Sequence, residues 1–195
     1  MMKDSHMRAA LKKKLAAFYR DDPETLVVEE LGLGDGIARI DLAVVNQTLH
    51  GFELKSDCDR LHRLPRQSET YSGIFDRMTL VVGGKLRTRA IEMIPKWWGV
   101  ELAERKQNGA MRFHRIRAAG ENESPLNALA IAKLLWRREA LALLIELGQA
   151  RGVISKSRER IHERLASVCD LEFLRFRVRD RLRNRAGWRF DEPQT

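Results

Sequence analysis

The chain has 195 residues, 44% of them hydrophobic, which is enough to bury a core and excludes a largely disordered protein. Its formal net charge is +9 and its isoelectric point is about 10.0, a balance that favours polyanionic partners such as nucleic acids. No apolar run approaches the roughly 20 residues of a membrane span, and the first residues lack the apolar segment of a signal peptide. We therefore expect a cytoplasmic protein that does not act in a membrane.

The two cysteines, Cys58 and Cys169, lie far apart in the chain and form no C-x-x-C pair. We interpret them as free thiols in a reducing compartment. This interpretation argues against a disulfide framework and against a zinc site.

The first predicted element is a helix over residues 5–19, because alanine, leucine and lysine favour helix and the apolar side chains recur on one face. After Pro23 a strand is predicted around residues 26–28, with Glu29 and Glu30 near its end. The glycines of residues 32–36 then predict a turn into a hairpin.

The hairpin covers residues 36–55, and its two apolar strands are joined by a polar turn at residues 46–48. Side chains alternate between the two faces of a strand, so Glu53 and Lys55 share a face. A three-residue turn pairs Val45 with Leu49 and brings Asp41 directly opposite Glu53. Facing carboxylates repel and cost stability, which indicates that the chain uses them.

A helix starting near Leu64 follows, with Pro65 in its first turn and with Gln67 and Tyr71 on one face. Further strands are predicted at residues 78–84, 99–102 and 111–116, with a helix over 86–94 and the pair Trp97 and Trp98 in the core. This order predicts an α/β fold in which a mixed β-sheet is flanked by helices.

The composition changes at Ala118, and from Pro125 onward the chain is predicted to be helical throughout, with one helix ending at Gly148. Residues 151–189 hold twelve Lys/Arg against five Asp/Glu. We expect the last helix to bury an apolar face, and Trp188 follows it. The members of that face are Phe173, Leu174, Phe176 and Val178.

Two domains are therefore predicted, an α/β domain over residues 1–118 and a basic all-α domain over residues 125–195. The basic segment is interpreted equally well as a DNA clamp and as a solvated or partner-binding face.

Asp41 and Glu53 supply hard oxygen ligands of the kind that suit Mg²⁺ or Mn²⁺. Lys55, on the same face, can reach a phosphate or an attacking water. Glu30 is a candidate third carboxylate, and Glu29 competes with it because the sequence leaves the register of that strand open. Hydrolysis of a phosphodiester needs such a set: an activated water, a Lewis acid and a positive charge near the oxyanion.

The hairpin resembles the motif of the PD-(D/E)XK nuclease superfamily, whose members have the restriction-endonuclease-like fold. Ile40-Asp41 matches the first half of that motif, with isoleucine in place of proline, and Glu53-Leu54-Lys55 matches the second half. The resemblance implies metal ligation by Asp41 and Glu53, and catalysis by both together with Lys55. A second acid-x-lysine match, Glu104-Arg105-Lys106, has no facing acid in a hairpin.

The downstream Gln67-x-x-x-Tyr71 resembles the Q-x-x-x-Y element of the branch related to RecB and the phage lambda exonuclease. This likeness implies that Gln67 and Tyr71 support the site or contact DNA. Segments such as RLPRQ and IPKWWGV are similar to an uncharacterised family of bacterial and phage-encoded proteins within the superfamily.

The expected function is that of a Mg²⁺- or Mn²⁺-dependent deoxyribonuclease in repair, recombination, phage biology or defence. The main alternative is a non-catalytic protein that reuses the nuclease fold to bind nucleic acid, a protein partner or another copy of itself. An immunity or scaffold protein with the same fold is a third possibility, because fold does not fix function.

Overall fold

A computed structural model describes residues 4–34, 36 and 38–185 of the chain. The strands are β1 (Leu26–Leu33), β2 (Ala38–Val45), β3 (Leu49–Lys55), β4 (Arg77–Gly83), β5 (Gly99–Arg105) and β6 (Met111–Arg117). The helices are α1 (Asp4–Phe18), α2 (Leu64–Ser72), α3 (Arg87–Glu92), α4 (Ala128–Ala132), α5 (Arg137–Glu146), α6 (Arg158–Val168) and α7 (Leu171–Asn184). No helix in these ranges combines the length and the apolar character needed to cross a membrane.

The strands form one six-stranded sheet in the order β1-β2-β3-β4-β5-β6. Strands β1, β2 and β3 pair antiparallel, β3, β4 and β5 pair parallel, and β6 returns antiparallel to β5. The two parallel connections carry α2 and α3, as parallel crossovers require. The predicted mixed α/β sheet flanked by helices is therefore confirmed.

Each face of the sheet is covered by apolar packing that follows the alternation of the strands. On one face α1 buries Met7 and Leu11 against side chains that include Leu42 and Phe52. The other face packs against α2 and the helices that follow β6 in a single larger cluster. This cluster contains residues from both predicted domains, and the proposed boundary between those domains stays a prediction.

The turn of the central hairpin is closed by Asn46, whose backbone N–H donates to the carbonyl of Thr48 at 3.0 Å. The register is the predicted one, because Val45 pairs with Leu49 and Leu42 pairs with Phe52. One further step along the two strands leads to Asp41 and Glu53.

The prediction of one continuous helix ending at Gly148 is wrong in one respect, because the structure has two helices there, α4 and α5. Trp136 adopts an extended backbone with ψ of 155° and caps α5. The backbone N–H of Trp136 donates to Glu139 Oε2 at 2.8 Å. The predicted end at Gly148 is confirmed, since this residue follows the C-cap with φ of +67°.

In α7 the buried side chains are Leu174, Val178 and Leu182, spaced by four. The assignment of Phe176 to the apolar face is wrong, because this side chain is 55% exposed. Position 176 lies half a turn from 174 and 178 and therefore on the opposite side of the helix. Trp188 lies outside the described residues.

Trp97 and Trp98 are buried, as predicted. Cys58 and Cys169 are thiols and not disulfide partners, also as predicted.

Candidate active site

Glu53 is the centre of a cluster of hydrogen bonds at the carboxyl end of β3. Its side chain is only 2% exposed. One carboxylate oxygen, Oε1, accepts from Lys55 Nζ at 2.5 Å and from Gln67 Nε2 at 2.7 Å. The other, Oε2, accepts from the Tyr71 hydroxyl at 2.9 Å. The structure thus brings together the four candidate residues of β3 and α2.

Lys55 is almost as buried as Glu53, with 8% of its side chain exposed. Its ammonium also donates to Gln67 Oε1 at 3.0 Å. An ammonium has three N–H donors, so these two contacts leave one donor for a phosphate oxygen or a water. A charge buried this deeply persists because its partner is buried beside it.

Tyr71 reaches the site from one turn further along α2, because Gln67 and Tyr71 are four residues apart. Its hydroxyl lies 2.9 Å from Glu53 Oε2 and 3.1 Å from the carbonyl oxygen of Arg39. Burial, followed by the negative charge of Glu53, raises the pKa of Tyr71 above its ordinary value. Tyr71 therefore acts as a hydrogen-bond donor at neutral pH and not as a phenolate.

Asp41 lies on β2 beside this cluster. Its Oδ2 accepts from the backbone N–H of Leu54 at 2.8 Å, and this hydrogen bond fixes the carboxylate against β3. Burial, followed by the charge of Glu53, raises the pKa of Asp41 from 3.8 to about 7. Ionised Asp41 is therefore disfavoured in the fold, first by its burial and then by the facing Glu53.

Glu30 continues the row of acids onto β1. The pairs that flank it, Glu29 with Leu42 and Leu31 with Ile40, put Glu30 level with Asp41. Its φ of 52° lies in the left-handed region, which costs a non-glycine residue about 1–2 kcal/mol.

Glu29 points elsewhere and binds Lys12 of α1 at 3.3 Å. Of the two acids left open by the sequence, Glu30 is therefore the one on the row of Asp41 and Glu53.

Arg8 of α1 is the residue that sequence reasoning missed. Its Nη1 donates to Glu30 Oε1 at 2.7 Å, and its Nη2 lies 2.5 Å from Asp4 and 3.3 Å from Asp41. A guanidinium thus stands among three carboxylates. Asp4 and Arg8 are spaced by four on α1, which is a pairing signal visible in the sequence.

The carboxylate oxygens at this site suit a hard divalent cation but do not form a complete coordination shell around it. In the described ranges no group of three or more His, Cys, Asp or Glu side chains is arranged to hold a metal. Asp41 and Glu53 nevertheless fit Mg²⁺ or Mn²⁺, which take one or two carboxylates and complete their shell with waters and substrate phosphate. A cation there would also relieve the repulsion that raises the pKa of Asp41.

Comparison with known families matches residues 2–191 to the family described as Bacteriophage P4 protein cII. Protein cII of Enterobacteria phage P4 is 30% identical over 125 residues, which make up 64% of this chain and 47% of that protein. The chain thus spans about half the length of the curated relative it matches. No solved structure matches the chain.

Proposed function

This chain belongs to the family of bacteriophage P4 protein cII, and we propose that it is a metal-dependent nuclease that hydrolyses phosphodiester bonds in DNA. One observation carries the proposal. A buried carboxylate and a buried ammonium, Glu53 and Lys55, share a hydrogen-bonded cluster that faces a second carboxylate, Asp41, whose pKa is raised. Perturbed titratable groups of this kind concentrate at catalytic sites.

The proposed fold is the restriction-endonuclease-like one. The antiparallel hairpin β2–β3 leads into a parallel crossover through α2, and the candidate residues lie on the hairpin and on that helix. This arrangement agrees with the resemblance to the PD-(D/E)XK superfamily drawn from the motif, with the Q-x-x-x-Y element on the helix after the motif lysine.

Asp41 and Glu53 would hold Mg²⁺ or Mn²⁺, with Glu30 as a further ligand once Arg8 releases it. The bound ion would supply a Lewis acid and an activated water at neutral pH. Gln67 and Tyr71 orient Glu53 through its two oxygens. Lys55 directs its remaining N–H toward the phosphate, where it stabilises the negative charge that develops on the oxygens during attack.

A non-catalytic binding protein is the second candidate, and Arg8 is the observation that favours it. Its guanidinium balances Asp41 and Glu30 where a metal would otherwise do so, while both oxygens of Glu53 already have protein donors. Arg8 and Lys55 thus supply the positive charge beside these carboxylates without a metal. Under this alternative the protein binds nucleic acid or a partner with no need for a divalent ion.

The two candidates are separated by incubating the purified chain with Mg²⁺ or Mn²⁺ and labelled single- and double-stranded DNA and RNA. We expect DNA cleavage that Asp41→Asn and Lys55→Ala abolish. Lys106→Ala is the matched control, because Lys106 ends the other acid-x-lysine match and follows β5, two strands from β3 in the sheet. Intact substrates under every condition, or cleavage unchanged in Asp41→Asn, would reject the nuclease.

A further inference from the structure

The arginines of α7, the helix that carries much of the positive charge, are engaged by carboxylates inside the fold. Arg175 binds Asp76, and Arg183 binds Glu24, each at 2.5 Å. Arg177 and Arg181 pair with Glu146 and Arg179 pairs with Asp76, while Arg185, which follows the helix, pairs with Glu139. These pairs attach α7 to the rest of the molecule, which leaves this helix poorly suited to hold a polyanion.

A different set of cations is exposed and unpaired. It comprises Arg60, Arg63, Arg66, Lys85, Arg87 and Arg89, here called the cationic rim. Within the described residues, none of these side chains has an ion-pair or hydrogen-bond partner. Two acids of the same connections are occupied, because Asp57 accepts from the N–H of Lys85 and Asp59 accepts from the N–H of Ser56. Glu69 and Glu92 are exposed on α2 and α3, so six cations face two exposed acids on these helices and the loops before them.

The two halves of the cationic rim meet at one edge of the sheet. Strands β3 and β4 are parallel neighbours, with Lys55 level with Val82, so the connections that follow them leave from the same edge. Between these connections lies an open cleft of about 560 Å³. Arg60 and His62 line it on one side, and Leu86, Arg89 and Met93 on the other.

The cationic rim also adjoins the candidate active site. Arg63 precedes Gln67 by four residues at the start of α2, which places the two on one face about 5–6 Å apart at their Cβ atoms. Gln67 in turn binds both Glu53 and Lys55. A chain of phosphates lying along the rim would therefore arrive at Lys55.

We propose that the cationic rim binds the sugar-phosphate backbone of a nucleic acid and leads it into the site at Glu53 and Lys55. Delivery of the nucleic-acid strand to Glu53 and Lys55 for cleavage rests on the proposed function, whereas binding of the strand to the rim does not need cleavage. Unpaired guanidinium groups favour phosphate oxygens, which they contact in a bidentate manner. The concave cleft with Leu86 and Met93 in its lining fits an unstacked base better than a flat lipid surface.

The test measures binding of the full chain to a labelled oligonucleotide by fluorescence anisotropy in EDTA, where no metal-dependent cleavage occurs. The rim variant combines Arg60→Gln, Arg63→Gln and Arg89→Gln. The matched control combines Lys106→Gln, Arg112→Gln and Arg115→Gln, which removes the same charge from exposed positions on and beside β5 and β6. Circular dichroism melts check that both variants fold.

We expect the rim variant to lose about tenfold or more in affinity and to flatten the salt dependence by about one unit of slope per lost phosphate contact. The control should lose less than about threefold. Equal loss in the rim variant and the control, no loss in either, or tighter binding to anionic vesicles than to the oligonucleotide would overturn the proposal. Binding in EDTA needs no cleavage, so a protein that cuts no DNA but still loses affinity in the rim variant would reject the nuclease and support the cationic rim.

Discussion

The carboxylate of Asp41 accepts a hydrogen bond from the backbone N–H of Leu54 at 2.8 Å, and so the acid of β2 is fastened to β3 between Glu53 and Lys55. At this point the Asp41 side chain, and not a backbone carbonyl of β2, accepts the hydrogen bond from the Leu54 N–H of β3. The two acids are thereby held close together, and burial, followed by the charge of Glu53, raises the pKa of Asp41.

Asp41→Asn should stabilise the metal-free protein at alkaline pH. The folded pKa of about 7 lies above the ordinary 3.8, so the folded state binds the proton more tightly and loses stability as the pH rises from about 4 through 7. The asparagine can still accept from Leu54. With allowance for partial exposure, we expect a gain of about 1–2 kcal/mol near pH 8 and little gain near pH 4.

Thermal unfolding in EDTA at both pH values measures this gain. A variant less stable than the wild type near pH 8 would show that Asp41 is ionised in the fold at no cost.

Mn²⁺ should raise the melting temperature of the wild type, and should do so more near pH 8 than near pH 6. A ligand that binds only the folded state stabilises it by about 2.7 kcal/mol at one hundred times its dissociation constant. Binding requires the ionised form of Asp41, so protons compete with the metal below a pH of about 7. Calorimetric scans with and without Mn²⁺ test this, and an equal shift in Asp41→Asn would place the ion elsewhere.

Lys55→Met should cost about 3 kcal/mol, because it leaves the Glu53 carboxylate buried without its charged partner. The double variant Glu53→Gln with Lys55→Met should recover much of that loss, since it buries no charge, but should have no nuclease activity. Urea unfolding of the wild type, the two single variants and the double variant gives the coupling free energy between Glu53 and Lys55. Additive losses would mean that the two side chains do not act as a pair.

Tyr71→Phe should lower metal affinity or activity by about 10–100-fold with a small loss of stability, because it removes the donor that orients Glu53 Oε2. Single-turnover cleavage as a function of Mn²⁺ concentration separates weaker metal binding from slower chemistry. Tyr19→Phe is the control, because Tyr19 packs beside the apolar cluster of α1 and is not among the hydrogen-bond partners of Glu53. Equal behaviour of the two variants would remove Tyr71 from the site.

Local rules account for the parts of the fold that the sequence predicted well. Period two and a three-residue turn were enough to set the register that faces Asp41 with Glu53. Proline in the first turn and a spacing of four were enough to start α2 at Leu64 and align Gln67 with Tyr71. Each of these inferences depends on neighbours within a few residues.

The features that sequence analysis missed depend on distant partners. Arg8 meets Glu30 and Asp41 from 22 and 33 residues away, and nothing near Arg8 indicates that encounter. The break at Trp136 interrupts an apolar pattern that stays continuous in the sequence. The pairing of the α7 arginines was hidden for the same reason, so the net charge of that segment overstated its surface charge.

Those pairings also bear on how the chain is made. Arg175 meets Asp76 across 99 positions, and Arg183 meets Glu24 across 159. Contacts between residues so far apart in the chain form late in folding, because the entropy cost of closing the intervening chain precedes the stabilisation that the contact provides. While the protein is being synthesised, the sheet leaves the ribosome with Glu24 and Asp76 lacking these counter-charges, and the nascent chain acquires them only when α7 docks.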